Sequence, residues 1–291
     1  MTDWTDIEKK IDALMERRGL TGHTAAARFI LDFKAHLSRF DRTVSGGNAE
    51  KTLSLLEEDK HLTPYTIFRS NFRKAISELI SYPLKNDPIF LSLFNVLVDN
   101  NGKGIGAGEL VLPLIISHYA FSTDSDGKTP DGKTELKKNG ASLKPIKKGV
   151  TREGLVDELN KRYFQGAAPG YVRKDLFKNH IETVTDPSVY RDYFQELYPT
   201  CDTTELVKTV LTCWQNPVLF NEAVGKFALN NYQKVDGWNN IIIIDTEKKN
   251  VVVNINDVTD IDGLGLNFKP ILNRKGDTQA IADGYVNVSI K

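Results

Sequence analysis

"WNNIIIIDTEKKNVVVNI", residues 238 to 255, decides the fold class of this 291-residue chain. A run of isoleucines and a run of valines flank a polar segment at Glu247 to Asn250. β-Branched side chains lose rotamer freedom in a helix and pack well on a pleated surface. The stretch therefore predicts an antiparallel hairpin turning at Glu247 to Asn250. Downstream, "GLNFKPIL" (265–272) and "GYVNVSI" (284–290) read as further strands.

Upstream the texture is helical. "WTDIEKKIDALMER" puts Ile7, Ile11, Leu14 and Met15 on one stripe, and "AAARFILDFKAHLSRF" does the same with Phe29, Ile30, Phe33, Leu37 and Phe40. Gly19 and the "SGGN" at 45–48 mark breaks. In "TPYTIFRSNFRKAISELI" (63–80), Thr63 reads as a cap and Pro64 as the first helical residue. Ile67, Phe68, Phe72, Ile76, Leu79 and Ile80 would then form the buried stripe. "DPIFLSLFNVLV" (87–98) reads as a more buried helix. Helical patterns return in five segments between 151 and 232, including "VRKDLFKNHIET" (172–183). The expectation is an α+β (mixed α/β) protein: a helical region at 1–98, then a mixed-sheet core with C-terminal strands at 99–291.

Composition narrows the function classes. The chain is 40% hydrophobic and 26% charged, within the globular range, which excludes wholesale disorder. Lys+Arg and Asp+Glu both number 38, so any nucleic-acid contact must come from a local patch rather than a basic surface overall. Residues 126 to 178 do tilt basic. The first residues are acidic and amphipathic, unlike a signal peptide, and "LVLPLII" is too short to span a membrane. Cys201 and Cys213 have no partners at zinc-site spacing and read as reduced thiols of a cytoplasmic protein.

Two neighbouring stretches carry the candidate chemistry. "GKGIGAG" (102–108) lacks the spacing and the Ser or Thr of a phosphate-cradling loop, and it follows a helix rather than a strand, so it does not read as nucleotide-binding. Its glycines suit a tight turn and close approach. Glu109 then falls in the first turn of the next helix, where a carboxylate suits the dipole. The second stretch is "DSDGKTPDGKTELKKNG" (124–140). Glu-x-Lys occurs at Glu8/Lys10, Glu58/Lys60, Glu135/Lys137 and Glu247/Lys249, but only Glu135/Lys137 follows both an upstream aspartate, Asp126, and a helix carrying Glu109.

On a strand, residues two apart share a face, so Glu135 and Lys137 address one point while Leu136 faces the core. A hairpin returning at Pro130 to Lys133 brings Asp126 alongside. Two carboxylates are hard ligands suited to Mg²⁺ together with a substrate phosphate. Asp124 and Asp131 are alternative ligands on the same stretch. His118 reads as a core or rim histidine, Trp214 and Phe220 as packing residues, and "KNGASLKP" (138–145) as a loop with amides and Lys144 available to phosphate.

This series resembles the PD-(D/E)xK nuclease superfamily, and within it a group of bacteriophage-encoded proteins. The likeness rests on Gly106, Ala107, Gly108 and Glu109 at a helix start, then Asp126, then Glu135, Leu136 and Lys137 before a glycine turn. It covers residues 102 to 149; Ser125 stands where the usual motif has proline. The resemblance implies a core of helix, hairpin, strand, helix and strand. It implies Mg²⁺- or Mn²⁺-dependent cleavage of DNA, with Asp126 and Glu135 as metal ligands, Lys137 catalytic and Glu109 supporting it. Lys138, Lys144, Arg173 and Lys174 are the candidate DNA contacts. Members of the superfamily that kept the fold without the chemistry imply the alternative: a virion structural or assembly component, with other phage structural proteins or copies of itself as partners. The expected location is the host cytoplasm, or the virion.

Overall fold

The amphipathic stripes at the start of the chain fold as helices in the computed structural model. It describes residues 4–22, 24–43, 48–98, 107–122, 125–146, 151–163, 184–246, 250–277 and 280–291. Helix α1 (Trp4–Arg17) buries Ile7, Ile11, Leu14 and Met15, the stripe its period predicts. Helix α2 (Thr24–Thr43) buries Phe29, Phe33 and Leu37, with Ile30 and Phe40 partly buried against the same core. Helix α3 (Ala49–Glu57) starts at Asn48, whose side chain accepts the Lys51 N–H; such a cap satisfies a donor that the first turn leaves unpaired.

Residues 63 to 80 depart from the single helix their spacing predicts. They form a 3₁₀ turn (Tyr65–Arg69), strand β1 (Phe72–Ala75) and a second 3₁₀ turn (Ile76–Leu79). Phe68, Phe72, Ile76, Leu79 and Ile80 are all buried, so the expected core residues arrive there by another conformation. The reason is tertiary. Phe72 to Ala75 pair antiparallel with Asn254 to Val251, and this ladder replaces the bonds a helix would have made. Thr63 caps nothing; its hydroxyl donates to the Leu79 carbonyl at 2.8 Å.

Helices α4 (Tyr82–Lys85), α5 (Pro88–Val98) and α6 (Ala107–Ile115) follow. Asp87, only 2% exposed, accepts from the Phe90 N–H and the Thr52 hydroxyl, both at 2.8 Å. Strands β2 (Ala120–Ser122), β3 (Ser125–Thr129) and β4 (Gly132–Lys138) form an antiparallel meander. The β3–β4 turn falls at Pro130–Asp131, within the predicted Pro130 to Lys133. The chain then runs through β5 (Ser142–Leu143), β6 (Thr151–Glu153), α7 (Leu155–Tyr163), α8 (Ser188–Leu197), α9 (Thr204–Cys213) and α10 (Pro217–Asp236). The helix expected at 172–183 lies outside the described residues.

Strands β7 (Asn240–Asp245) and β8 (Val251–Ile255) form the antiparallel pair expected at 238–255. Of its turn, only Asn250 is among the described residues; it takes φ 51°. The sheet runs β1-β8-β7-β4-β3-β2, and β4 pairs parallel with β7. A parallel pair needs a long crossover, supplied here by residues 140 to 237. Contacts divide the chain into one unit of residues 1–139 with 238–257 and another of 140–237 with 258–291. Val98, where the helical texture ends, lies inside the first unit.

A chain of buried hydrogen bonds crosses the central strands of the first unit. The Thr134 hydroxyl donates to Asn240 Oδ1 (2.9 Å), and Asn240 Nδ2 donates to Asn254 Oδ1 (2.8 Å). Asn254 Nδ2 donates to the carbonyls of Phe68 (3.0 Å) and Ser70 (2.8 Å). Thr134, Asn240 and Asn254 are all buried. A buried polar group left unpaired costs about 1–3 kcal/mol, so each link disfavours any register that breaks it.

The second unit is built on β10 (Ala280–Ile290), which pairs with β5, β6 and β9 (Leu266–Lys275). Its core is aromatic: Tyr190, Tyr193, Phe194, Tyr198 and Phe220 are buried. The register shifts between Ala282 and Tyr285, and the freed carbonyls are used. Tyr193 donates to the carbonyls of Leu272 and Asp283, and Tyr198 to that of Gly284 at 2.8 Å. Among the described residues no helix is long and apolar enough to cross a membrane.

Asp283 gives the second unit a pH signature. Burial raises its carboxyl above the ordinary aspartate range, against the Tyr285 N–H and Arg274. A raised folded pKa means the native state keeps a proton that the unfolded chain has released. Stability from this group therefore falls as pH rises from the ordinary aspartate range through the folded pKa. Asp283→Asn should match or exceed the wild-type melting temperature at pH 7, and that advantage should shrink toward pH 4. Thermal melts across this range check it; an Asn variant that falls further behind as pH rises would contradict it. In the first unit, Asn254→Ala should cost about 2–3 kcal/mol in chemical denaturation, because it strands buried Asn240 and the buried Phe68 carbonyl.

Candidate active site

The site begins with the register of the β3–β4 hairpin. Gly127 pairs with Thr134 and Lys128 with Lys133, and the ladder ends at the Gly127–Thr134 pair, one step before Asp126 and Glu135. Along β4, Glu135 and Lys137 share one face, and Thr134 and Leu136 the other. Asp126 Oδ2 accepts the Leu136 N–H at 2.8 Å. Glu135 is 4% exposed and forms an ion pair with the Lys137 ammonium, which keeps contact with solvent. A carboxylate this buried needs such a partner.

Leu136 faces the other way, into the core, as its place between two polar residues predicts. There α6 sits close to the sheet because Gly108 has no side chain. A Cβ at Gly108 would lie 2.8 Å from Ile244 Cδ1 and 3.1 Å from Leu136 Cδ2. Glu109, the next residue, is thereby carried in the first turn of α6 beside the central strands.

Tyr119 packs against the hairpin at Gly127. It is fully buried, and its hydroxyl has no hydrogen-bond partner. Burial first, then the charges of Asp126, Glu109 and Glu135, hold the phenol's proton far above its ordinary range. The hydroxyl and ring edge occupy the space where a side chain at position 127 would stand, so only glycine fits beside Asp126.

Other sequence candidates are placed differently. Asp131 is gripped by Arg69, with Nε–Oδ2 at 2.6 Å and Nη2–Oδ1 at 2.8 Å, and that pairing holds its carboxyl below the usual range. The Arg69 guanidinium also lies over the Tyr65 ring at 5.3 Å. Asp131 therefore fastens the hairpin tip. Asp124 lies outside the described residues, as do Gly102 to Gly106 of the glycine loop, Arg173 and Lys174. Lys138 is exposed at the end of β4. Lys144, in the second unit, is exposed with its ammonium 5.1 Å from the Tyr285 ring centre, and its hydrogen bond to that tyrosine raises its pKa. His118 turns to Asp59, with Nδ1–Oδ2 at 3.2 Å.

Sequence reasoning missed Tyr119 and Asp245. Asp245, 4% exposed, ends β7 on the face shared by Ile243 and its ladder partner Lys137, and it accepts from Asn139 Nδ2 at 2.7 Å. Its only sequence signal is an acid closing an isoleucine run. Tyr119 carries none, since an aromatic after an apolar helix reads as packing.

Among the described residues, no three His, Cys, Asp or Glu side chains form a metal-holding group. Mg²⁺ does not need one: it binds through one or two carboxylates and completes its shell with waters and substrate phosphate. Asp126 and Glu135 would be the hard-oxygen pair for such an ion, with Glu135 paired to Lys137 in its absence. No family model matches the chain, and neither a curated protein nor a solved structure is significantly similar to it.

Gly127→Ala should destabilise the protein by about 2–3 kcal/mol, because the new methyl overlaps the Tyr119 hydroxyl in a filled core. Adding Tyr119→Ala should recover part of that loss. Strict additivity of the two single costs in denaturant titrations would disprove the contact.

Proposed function

We propose that this chain is a metal-dependent DNA endonuclease of the PD-(D/E)xK type, of the kind encoded by bacteriophages, that hydrolyses phosphodiester bonds. The observation that carries the reading is the β3–β4 hairpin, in which Asp126 accepts the Leu136 N–H while the neighbouring Glu135 is ion-paired with Lys137. Two further features support it. The Glu109-bearing helix precedes the hairpin, and the Glu135 strand lies parallel to one reached by a crossover ending in a helix.

Asp126 and Glu135 would hold Mg²⁺ or Mn²⁺ through their carboxylate oxygens. Such an ion, when bound, lowers the pKa of a coordinated water and offsets charge developing on phosphate. The chain's own residues do the rest. Lys137, held against Glu135, presents a fixed cation to the scissile phosphate, and its charge counts most as negative charge builds in the transition state. Glu109 supports the site from the helix start, accepting hydrogen bonds from bound water. Lys138 in the first unit, and Lys144, Arg173 and Lys174 in the second, are the proposed contacts to the DNA backbone. Such contacts position the duplex without reading its sequence.

One observation favours a second reading. Glu135 and Lys137 form a closed ion pair within one strand, which a virion structural or assembly component would keep for folding alone. Such a protein would work in the particle with other phage proteins or with copies of itself.

Plasmid nicking separates the two readings. With Mg²⁺ or Mn²⁺ the wild type should nick supercoiled DNA, and Asp126→Asn should lower the rate by at least about 100-fold while keeping the fold. Lys137→Ala should lose cleavage and about 1–3 kcal/mol of stability, because buried Glu135 loses its counter-charge. Glu135→Gln combined with Lys137→Ala should regain stability and not cleavage. Full activity in Asp126→Asn would reject the assigned site. A wild type that neither nicks DNA nor is stabilised by metal would favour the scaffold.

A further inference from the structure

We propose that Asn139–Gly140 is a one-way deamidation site: the native fold withholds both reacting groups, and after an opening has let them react, the new carboxylate at 139 is repelled by buried Asp245. The inference does not depend on the endonuclease reading.

The chain passes from the first unit to the second between Asn139 and Gly140. An asparagine followed by glycine is prone to deamidate, because glycine has no side chain to shield its backbone nitrogen. That nitrogen, on losing its proton to hydroxide, attacks the asparagine Cγ and closes a five-membered succinimide. The Cγ–Nδ2 bond breaks, and ammonia leaves with a proton taken from water. Water then opens the ring at either carbonyl, leaving aspartate or isoaspartate. Solvent is the only co-reactant, and it reaches the pair: Asn139 is half-buried, Gly140 is exposed, and a Cβ on Gly140 would meet nothing within 4 Å.

The native fold engages each reacting group. The Gly140 N–H, which carries the nucleophile, donates to the Val288 carbonyl at 2.9 Å within the second unit. Within the first unit, Asn139 Nδ2, the leaving amide, donates to Asp245 Oδ2 at 2.7 Å, and the Asn139 N–H donates to the Ile244 carbonyl at 2.8 Å. Attack requires Gly140 to release Val288 and the Asn139 side chain to release Asp245. The reaction therefore waits on a local opening, and its rate falls with the fraction of time that the joint is open. The product changes what closes again. Asp245 is 4% exposed and accepts from the amide, whereas an ionised aspartate at 139 offers only acceptors. Two carboxylates brought together at such a position oppose each other's ionisation. The Asn139–Ile244 bond extends the β4–β7 ladder past the Lys138–Ile244 pair, so the end of the strand carrying Lys137 is what loosens.

The test follows Asn139 by mass-spectrometric peptide mapping, which reads it apart from the other Asn–Gly pair, Asn101–Gly102. The full-length chain is held at pH 8 and 37 °C, native in one arm and unfolded in urea in the other. Deamidation at Asn139 should be at least about tenfold slower in the native arm. Asn139→Asp, which carries the product's side chain from the start, should melt several degrees below the wild type at pH 8. Combining it with Asp245→Asn exchanges donor and acceptor and should recover most of that loss, a non-additivity that independent sites would not show. Equal rates in the two arms would overturn the inference, as would an unfolded chain that keeps Asn139 intact. Asn139→Asp melting with the wild type would also overturn it, since the product would then close as well as the amide. So would a double variant no more stable than Asn139→Asp, since the repulsion would not come from Asp245.

Discussion

The hydrogen bonds from Thr134 through Asn240 and Asn254 to the carbonyls of Phe68 and Ser70 are the constraint on which the first unit depends. Aliphatic strands such as the isoleucine and valine runs of β7 and β8 would tolerate slippage, because one apolar contact resembles the next. Polar groups buried among them do not, since each has one satisfactory partner set. Anchoring Thr134 fixes the faces of its neighbours in β4. A slip by one residue would turn Glu135 and Lys137 into the core and Leu136 out of it. The chain of bonds also reaches the 3₁₀ turn before β1, from which Arg69 holds the hairpin tip through Asp131. Register at the centre and restraint at the tip together set Glu135 and Lys137 on one face of β4 and Leu136 on the other.

The β3–β4 hairpin was legible in the sequence because it depends on local rules. Alternation along "TELKK", a Pro-Asp-Gly turn and an aspartate before it define a hairpin with little help from the rest of the chain. The 238–255 hairpin was legible for the same reason. Residues 63 to 80 were not, since their apolar spacing suits a helix, and only β8, far along the chain, makes the strand worthwhile. The choice among Asp124, Asp126 and Asp131 stayed open for an equally non-local reason. Arg69, which engages Asp131, is 62 residues away. The packing of Tyr119 against Gly127 was illegible because the sequence does not show which glycine a buried ring will meet.

The charge balance bears on the functional reading. A chain with equal numbers of acids and bases has no general attraction for DNA, so the proposed binding would rest on local cations such as Lys138 and Lys144. The proposed function rests on a divalent cation held by Asp126 and Glu135.

Diffraction at the manganese absorption edge from crystals grown with Mn²⁺ tests this claim most directly. The account predicts an anomalous peak within bonding distance of both the Asp126 and Glu135 carboxylates, about 2.0–2.3 Å from their oxygens. A map with no peak there would contradict it, the more so if Lys137 remained on Glu135 and Asp126 on the Leu136 amide.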